Sequence, residues 1–359
     1  MTSTFNGKKA HVLGIIITVA TAVPASALEM NPELKAVVEG AASEHKFTLE
    51  SPAVLMGGGD GVKAFVAWMS REFDITVASQ WNPNPSFRTL IGKIVTEKQA
   101  GQESSSDVYM GTAVQVQPVL TSGIFRQVAW TKLLPGRVTP EIAEADGLAL
   151  RVSTRFPGIL YNKQTFPEIG KIGSLNDLLQ PEFKGKFSTN PDLAGFDVLI
   201  GNRGYEKAAD YLTKFVTQLA GVVPCGSGER IASGEVQALV LDCAGTEQNQ
   251  PRFKDYLALY IVPDAAQRRY NYLTIPVNAA HPNTGILYGV FLSTEEGQKW
   301  NRDRDGTDLD TYSDSPQHQK AIDMQAQGVK FTDVTLSWEG EHPKAPDQLG
   351  DLTKLLRQK

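Results

Sequence analysis

The sequence predicts an α/β fold built as two lobes. Two observations predict it. From Asn31 to about Thr121, strand-like and helix-like segments alternate, the pattern of a mainly parallel sheet covered by helices. From Leu148 a second alternating set begins and runs to about Leu241, after which the chain has a candidate strand for returning to the first set. The 359 residues, 41% hydrophobic and 21% charged, have ordinary globular composition, and the length allows one large domain or two lobes.

The first set starts with a helix over 31–44, with Leu34, Val37, Val38 and Ala41 on one face. A strand follows over 47–54. Gly57-Gly58-Gly59-Asp60-Gly61 then opens a helix that carries Val62, Phe65, Val66 and Met69 at helical spacing. Ile75 to Ser79 reads as a second strand. Asn82-Pro83-Asn84-Pro85 is a loop, and Ser86 is placed to cap a helix from Phe87 to Lys98. Asp107 to Met110 is a third strand, with a helix over 114–121 weakened by Pro118. Ligands on such sheets sit beyond the carboxyl ends of the strands. Three loops fit: Met56 to Asp60, Trp81 to Ser86, and Gly111 to Ala113.

The second set has strands over 148–153 and 158–162, a short capped helix over 174–179 and a strand over 185–189. An amphipathic helix follows over 205–219, then a strand over 236–241. Leu273 to Val277 is the predicted return strand. His281 to Gln298 reads as helix, tight turn, helix: Ile286, Leu287, Val290 and Phe291 are periodic, and Ser293 with Glu296 has capping-box spacing. The tail is polar, with a late helix near 352–357.

The N-terminus predicts export. Lys8 and Lys9 precede an uncharged run of about a dozen residues, too short for a bilayer span of roughly 20. Pro24-Ala25-Ser26-Ala27 supplies a small-x-small cleavage site. Residues 1–27 are thus read as a signal peptide and Leu28 as the mature start. Losing Lys8 and Lys9 takes the formal charge from −5 to −7, a poor balance for binding nucleic acid. An oxidising compartment permits a disulfide between Cys225 and Cys243, although spacing alone does not separate it from two buried thiols.

The order of several motifs adds a resemblance. Glu97-Lys98-Gln99-Ala100-Gly101 leads to Ser106-Asp107-Val108. Tyr161-Asn162 follows, then Ser174-Leu175-Asn176-Asp177-Leu178-Leu179 with Phe183-Lys184-Gly185-Lys186, then Ala232-Ser233-Gly234-Glu235-Val236, then His281-Pro282-Asn283 through Gln298. From Met30 to Asp310 this order resembles the periplasmic solute-binding proteins of ABC importers, in the class that includes the ferric-ion-binding proteins. The resemblance implies a type II Venus-flytrap fold, with crossover strands between lobes that close on a solute. It implies a monomeric, periplasmic non-enzyme without a cofactor, whose partners are a small-molecule solute and an inner-membrane ABC permease. The expected division is 28–152 plus 274–325 for lobe 1 and 153–273 for lobe 2, with the lobe of 326–359 open.

Candidate ligand-binding residues are Met56, Gly57, Gly58 and Asp60 in the glycine-rich loop, Asn82, Thr112, Arg155 beside the first crossover, then Asn190, Asp192, Phe196 and Asp242. The glycine-rich loop opens a helix and can offer N–H groups to an anion. Arg155 can pair with a carboxylate or phosphate. The ferric binders that the chain resembles carry adjacent tyrosines after this strand, where Asp242-Cys243-Ala244-Gly245 stands here. His45, His281, His318 and His342 show no metal-ligand spacing, so no metal ligands are named. An organic or oxyanionic solute is therefore expected first. Asp192, Asp242 and Glu247 would suit a cationic solute such as a polyamine or thiamine, and ferric ion is a further alternative. An exported hydrolase is the competing class, against which stand the lack of a Gly-x-Ser-x-Gly elbow and of a triad pattern.

Overall fold

The computed structural model describes residues 1–2, 28–52, 58–84, 86–243 and 245–358. Residues 3–27 of the predicted signal peptide, Met56 and Gly57 lie outside the described residues. Asn31 caps the first helix, α1 (Pro32–Glu44), by accepting from the Leu34 N–H at 2.9 Å. β1 (Lys46–Ser51), α2 (Gly58–Phe73), β2 (Ala78–Pro83) and α3 (Phe87–Gln99) follow. The Ser86 hydroxyl caps α3 from Thr89 N–H, as its position predicts. β1 and β2 pair in parallel from Lys46 opposite Ala78, so β2 lies later than the 75–79 expected: Ile75 and Val77 are buried in the lead-in, before the ladder forms. β3 (Tyr109–Thr112) is also later than expected. The first helix after it, α4 (Ala113–Val116), ends in a 3-10 turn at Pro118, where a continuing helix would need an N–H that proline lacks. α5 (Trp130–Leu133) is a single turn, and α6 (Glu144–Gly147) is an irregular turn with Ala145 and Asp146 in the left-handed region, before β4 (Ala149–Arg155).

β4 carries the chain out of the first core and into the second. There β5 (Ile159–Asn162), β6 (Ser188–Thr189), α7 (Asp197–Arg203), α8 (Tyr205–Gln218), β7 (Gly221–Val222), α9 (Gly228–Ala232), β8 (Ala238–Val240) and β9 (Leu257–Tyr260) follow. The strand order is β7-β6-β8-β5-β9, with β6 parallel to both β7 and β8. Residues 175–179 form a 3-10 turn rather than an α-helix, with Ser174 and Asp177 making the capping box. Phe187, Phe196, Tyr211 and Phe215 stack inside this core. The face of α8 formed by Ala208, Leu212, Phe215 and Val216 packs there as its spacing predicts.

The return strand is longer and earlier than expected: β10 spans Gln267–Thr274 and pairs antiparallel with both β3 and β4. Tyr270 and Tyr272, on this strand, are buried at 2% and 0% exposure, so the strand is fixed by its two aromatic residues as much as by Leu273 and Ile275. α10 (Pro282–Ser293) is buried all round from Thr284 to Ser293 and forms the axis of the first core. Its N-terminus is held by a carboxylate: Glu44 accepts from the backbone N–H groups of Asn283 and Thr284 at 2.9 and 2.8 Å. Asp107, pushed up by burial against opposing bonds from Thr48 and His281, accepts the His281 N–H at 2.9 Å.

α11 (Glu295–Asp305) is capped by Thr294, whose hydroxyl accepts from Gly297 N–H at 3.0 Å. Ser293, the predicted cap, instead closes α10 by donating to the Gly289 carbonyl. After α12 (Pro316–Ala326), the tail holds more structure than its polarity suggests: β11 (Thr332–Val334), α13 (Leu336–Glu341) and α14 (Ala345–Leu352). β11 joins the β10 sheet in parallel, and Ala345, Leu349 and Leu352 pack in the second core. Among the described residues no helix is long and apolar enough to cross a membrane.

Candidate functional site

β6 and β8 are parallel, with Thr189 opposite Val240, so their carboxyl ends emerge at one edge. β4, in the other sheet, ends on Arg155. The chain after β8 folds back on it: Asp242 N–H donates to the Gly158 carbonyl at 2.9 Å, and Arg155 Nη1 reaches the Cys243 carbonyl at 3.4 Å. Arg155, Asn190 and Asp242 are thus brought together by strand ends that belong to different parts of the sequence.

Asn190 ties the two loops. Its Oδ1 accepts from the N–H groups of Asp192 and Ala194 at 3.2 and 2.8 Å, and its Nδ2 donates to the carbonyls of Ala194 and Leu241 at 3.2 and 3.3 Å. It is fully buried. Each loop also holds a leucine in the left-handed region, Leu193 at φ 51° and Leu241 at φ 50°. That backbone costs a non-glycine residue on the order of 1 kcal/mol, and here both side chains are anchored in the second core. Cys225 and Cys243 form a disulfide, Cα–Cα 5.7 Å, which fastens the post-β8 loop to the segment before α9.

The electrostatics centre on Arg155. Burial pulls its guanidinium down to about 10, the neighbouring Arg269 adds to this, and Asp242 opposes it. It therefore stays charged at neutral pH. Arg155 and Arg269 stand directly opposite in the β4–β10 ladder, a like-charge pair that is unfavourable unless anions are near. Arg269 has one, an ion pair with Asp197, and a 2.5 Å bond to Gln267 Oε1. Arg155 Nε is buried and has no hydrogen-bond partner among the described residues, while the residue keeps part of its surface accessible. Thr189 Oγ1, at the end of β6, and Gln248 Oε1, in the segment after β8, are likewise buried without partners among the described residues. Burial pushes Glu247 up to about 7, with Asp242 adding to the shift and its bond from Gly228 N–H, 3.0 Å, opposing it.

The other predicted residues are placed elsewhere. Phe196 lies in the second core at 0% exposure, where Tyr211 and Phe215 surround it, and lines no open surface. Asp192 is exposed. On the first-core side, Gly58 opens α2 and is buried, and Asp60 is exposed and paired with Lys63 and Arg304. Asn82 accepts from Gln80, and Thr112 caps α4 with Gln115. Sequence reasoning does not single out Arg269, Asp197, Thr189 or Gln248. The available signal for Arg269 is the alternation along β10, which puts positions 269 and 271 on one face. Among the described residues no group of three His, Cys, Asp or Glu side chains is arranged to hold a metal.

No family model matches the chain, and no curated protein matches it by sequence. Solved structures do match. Iron-bound HitA from Pseudomonas aeruginosa is 18% identical, with 86% of this chain and 99% of that chain covered at a TM-score of 0.64. The periplasmic binding protein AfuA from Actinobacillus pleuropneumoniae, with fructose-6-phosphate bound, is 16% identical over 86% and 98% at a TM-score of 0.65. This chain has the periplasmic-binding-protein fold. A ferric binding protein from Campylobacter jejuni gives the same result, 16% identical over 87% and 98% at a TM-score of 0.63. In a periplasmic-binding-protein fold, the two cores found here are two lobes, and β4 and β10 are strands that cross between them.

Proposed function

We propose that the chain is the periplasmic solute-binding component of an ABC importer, and that it captures an organic or oxyanionic solute between its lobes for delivery to an inner-membrane permease. The observation that carries this reading is Arg155: a charged guanidinium at the end of the first crossover, facing a second arginine, with a buried Nε that has no protein partner among the described residues. A solute carboxylate or phosphate would satisfy that N–H and relieve the Arg155–Arg269 repulsion. Asn190 and Asp242 hold the surrounding loops, and Thr189 and Gln248 offer further polar atoms. This reading takes 28–152 with 274–325 as one lobe and 153–273 as the other, with the last helix on the second lobe. It also takes 1–27 as a cleaved leader.

The test is a thermal-shift and calorimetry screen of the mature chain against phosphate, sulfate, citrate, fructose-6-phosphate, ferric salts, polyamines and thiamine. A bound solute at about 100 times its Kd should stabilise the fold by about 2.7 kcal/mol. Arg155→Ala should abolish the shift from the anionic solute. An unchanged shift in Arg155→Ala removes Arg155 from the site. A chelator-sensitive shift with ferric salts alone would favour the iron reading, and hydrolytic turnover without binding would favour the hydrolase.

A further inference from the structure

The C-terminal segment makes a third connection between the lobes. β11 pairs with Gln267–Arg269 of β10, and Thr335 caps α13 from Trp338 N–H at 3.1 Å. Two side chains of α13, two residues apart, then go to different lobes. Leu336 is buried in the first core, and its N–H reaches Glu144 Oε2 at 3.3 Å. Trp338 packs on Val198 of α7, in the second lobe. Its ring lies so close to Gly201 that a Cβ there would come within 2.5 Å of it. α14 continues into the second core.

Next to Trp338 in the helix is Glu339, only 3% exposed, with an Oε1 that has no hydrogen-bond partner among the described residues. The charged groups facing it are Asp197 from α7 and Arg269 from β10. Arg269 is already paired with Asp197, and stands opposite Arg155 of β4. On the C-terminal side of α13, His342 is turned away, its Nδ1 against the Trp338 carbonyl at 2.8 Å. One guanidinium therefore serves two buried carboxyl groups, and only Asp197 has the direct contact.

We propose that α13 is a proton-dependent latch between the lobes: neutral Glu339 lets the helix rest on α7, and its ionisation sets a second carboxylate beside Asp197 and releases α13 from α7. The inference rests on the two-lobed reading and not on which solute is bound. Burial and Asp197 push Glu339 up to about 7, with Arg269 opposing, so the change falls near neutral pH. The sign follows from the raised value. The latched arrangement has its full advantage below the ordinary glutamate value of 4.5 and loses it as pH rises towards about 7.

The experiment needs no solute. Lys35→Cys on α1 and Lys207→Cys on α8, both exposed, carry spin labels on the mature chain with its native disulfide intact. The inter-lobe distance distribution is measured from roughly pH 5.5 to roughly pH 8.5. The expected result is a single narrow distribution at low pH that broadens as pH rises towards about 7 and changes little above it. In Glu339→Gln the distribution should stay narrow throughout. In Asp197→Asn the broadening should shrink, because an ionised Glu339 then has Arg269 to itself. A distribution independent of pH in the wild type, an identical transition in Glu339→Gln, or an undiminished one in Asp197→Asn overturns the latch. Each of these results leaves the solute reading standing, because that depends on Arg155 and the binding screen.

Discussion

The backbone of Gly245 lies against the carbonyl oxygen of Phe156, at φ 59°, and leaves no space for a side chain. This contact brings the post-β8 loop onto the first crossover, one residue from Arg155. Gly245→Ala combines a left-handed backbone, about 1–2 kcal/mol for a non-glycine residue, with overlap on a carbonyl that cannot rotate away. We expect a loss of at least about 2 kcal/mol, read as a lower denaturant midpoint at unchanged slope. An unaffected midpoint would mean that the loop is free to move off Phe156.

Glu247 gives a pH dependence with a definite sign. Its carboxyl is raised from the ordinary value of 4.5 to about 7, so the folded protein binds a proton that the unfolded chain has released in that window. Stability from this group is full below about 4.5 and falls as pH rises to about 7. Glu247→Gln keeps an acceptor for the Gly228 N–H and removes the titration. The variant should match the wild type near pH 5 and exceed it near pH 8 by about 1–2 kcal/mol in chemical denaturation, since each tenfold change in proton affinity is worth about 1.4 kcal/mol before relaxation is allowed for. Parallel stability profiles for the two proteins would show that Glu247 is not raised.

The fold is legible in the sequence because its periodic faces are strong. Ala208, Leu212 and Phe215 on α8, and Ile286, Leu287 and Phe291 on α10, fit only a core. The end of each strand is harder to read, as at β2, where buried Ile75 and Val77 precede the ladder. Of the candidate site, the sequence shows only which residues stand at strand ends. Arg155 ends β4, and Asn190 and Asp242 follow β6 and β8, which is the position that makes them candidates. Phe196 misleads because an aromatic residue near a loop reads the same whether it lines a cleft or fills a core. Arg269 and Glu339 are out of reach because their meaning comes from partners 72 residues away at Asp197, or on another helix altogether. The tail reads as less ordered than it is because β11 and α13 gain their order from β10 and α7, not from their own pattern.

Asn190 acts through geometry rather than charge. Its amide makes four bonds that lock the post-β6 loop internally and to Leu241. Asn190→Ala leaves two N–H groups and the carbonyls of Ala194 and Leu241 to find other partners, at about 1–3 kcal/mol for each group that stays unsatisfied. We expect a destabilisation of about 2–3 kcal/mol by denaturation. Asn190→Asp keeps the accepting half and should recover part of that loss. Equal damage from both substitutions would assign the whole effect to the Nδ2 bonds.

The disulfide controls the same loop from its other side. Cys225 and Cys243 are 18 residues apart, and closing a loop of that size in the unfolded chain is worth about 3 kcal/mol in the entropic account. The Cys225→Ser, Cys243→Ser double variant should lose about that amount in denaturant unfolding. A second effect separates this from general loosening. Cys243 also supplies the carbonyl that Arg155 Nη1 contacts, and Glu247 bonds the neighbouring segment at Gly228. With the disulfide gone but the chain still folded, the link between these two segments rests on Glu247, and Arg155 loses a fixed neighbour. The anion that stabilises the wild type should then bind the variant more weakly at a temperature well below both melting points, measured by calorimetry. Unchanged affinity in a destabilised variant would confine the disulfide to stability and separate it from the placement of Arg155.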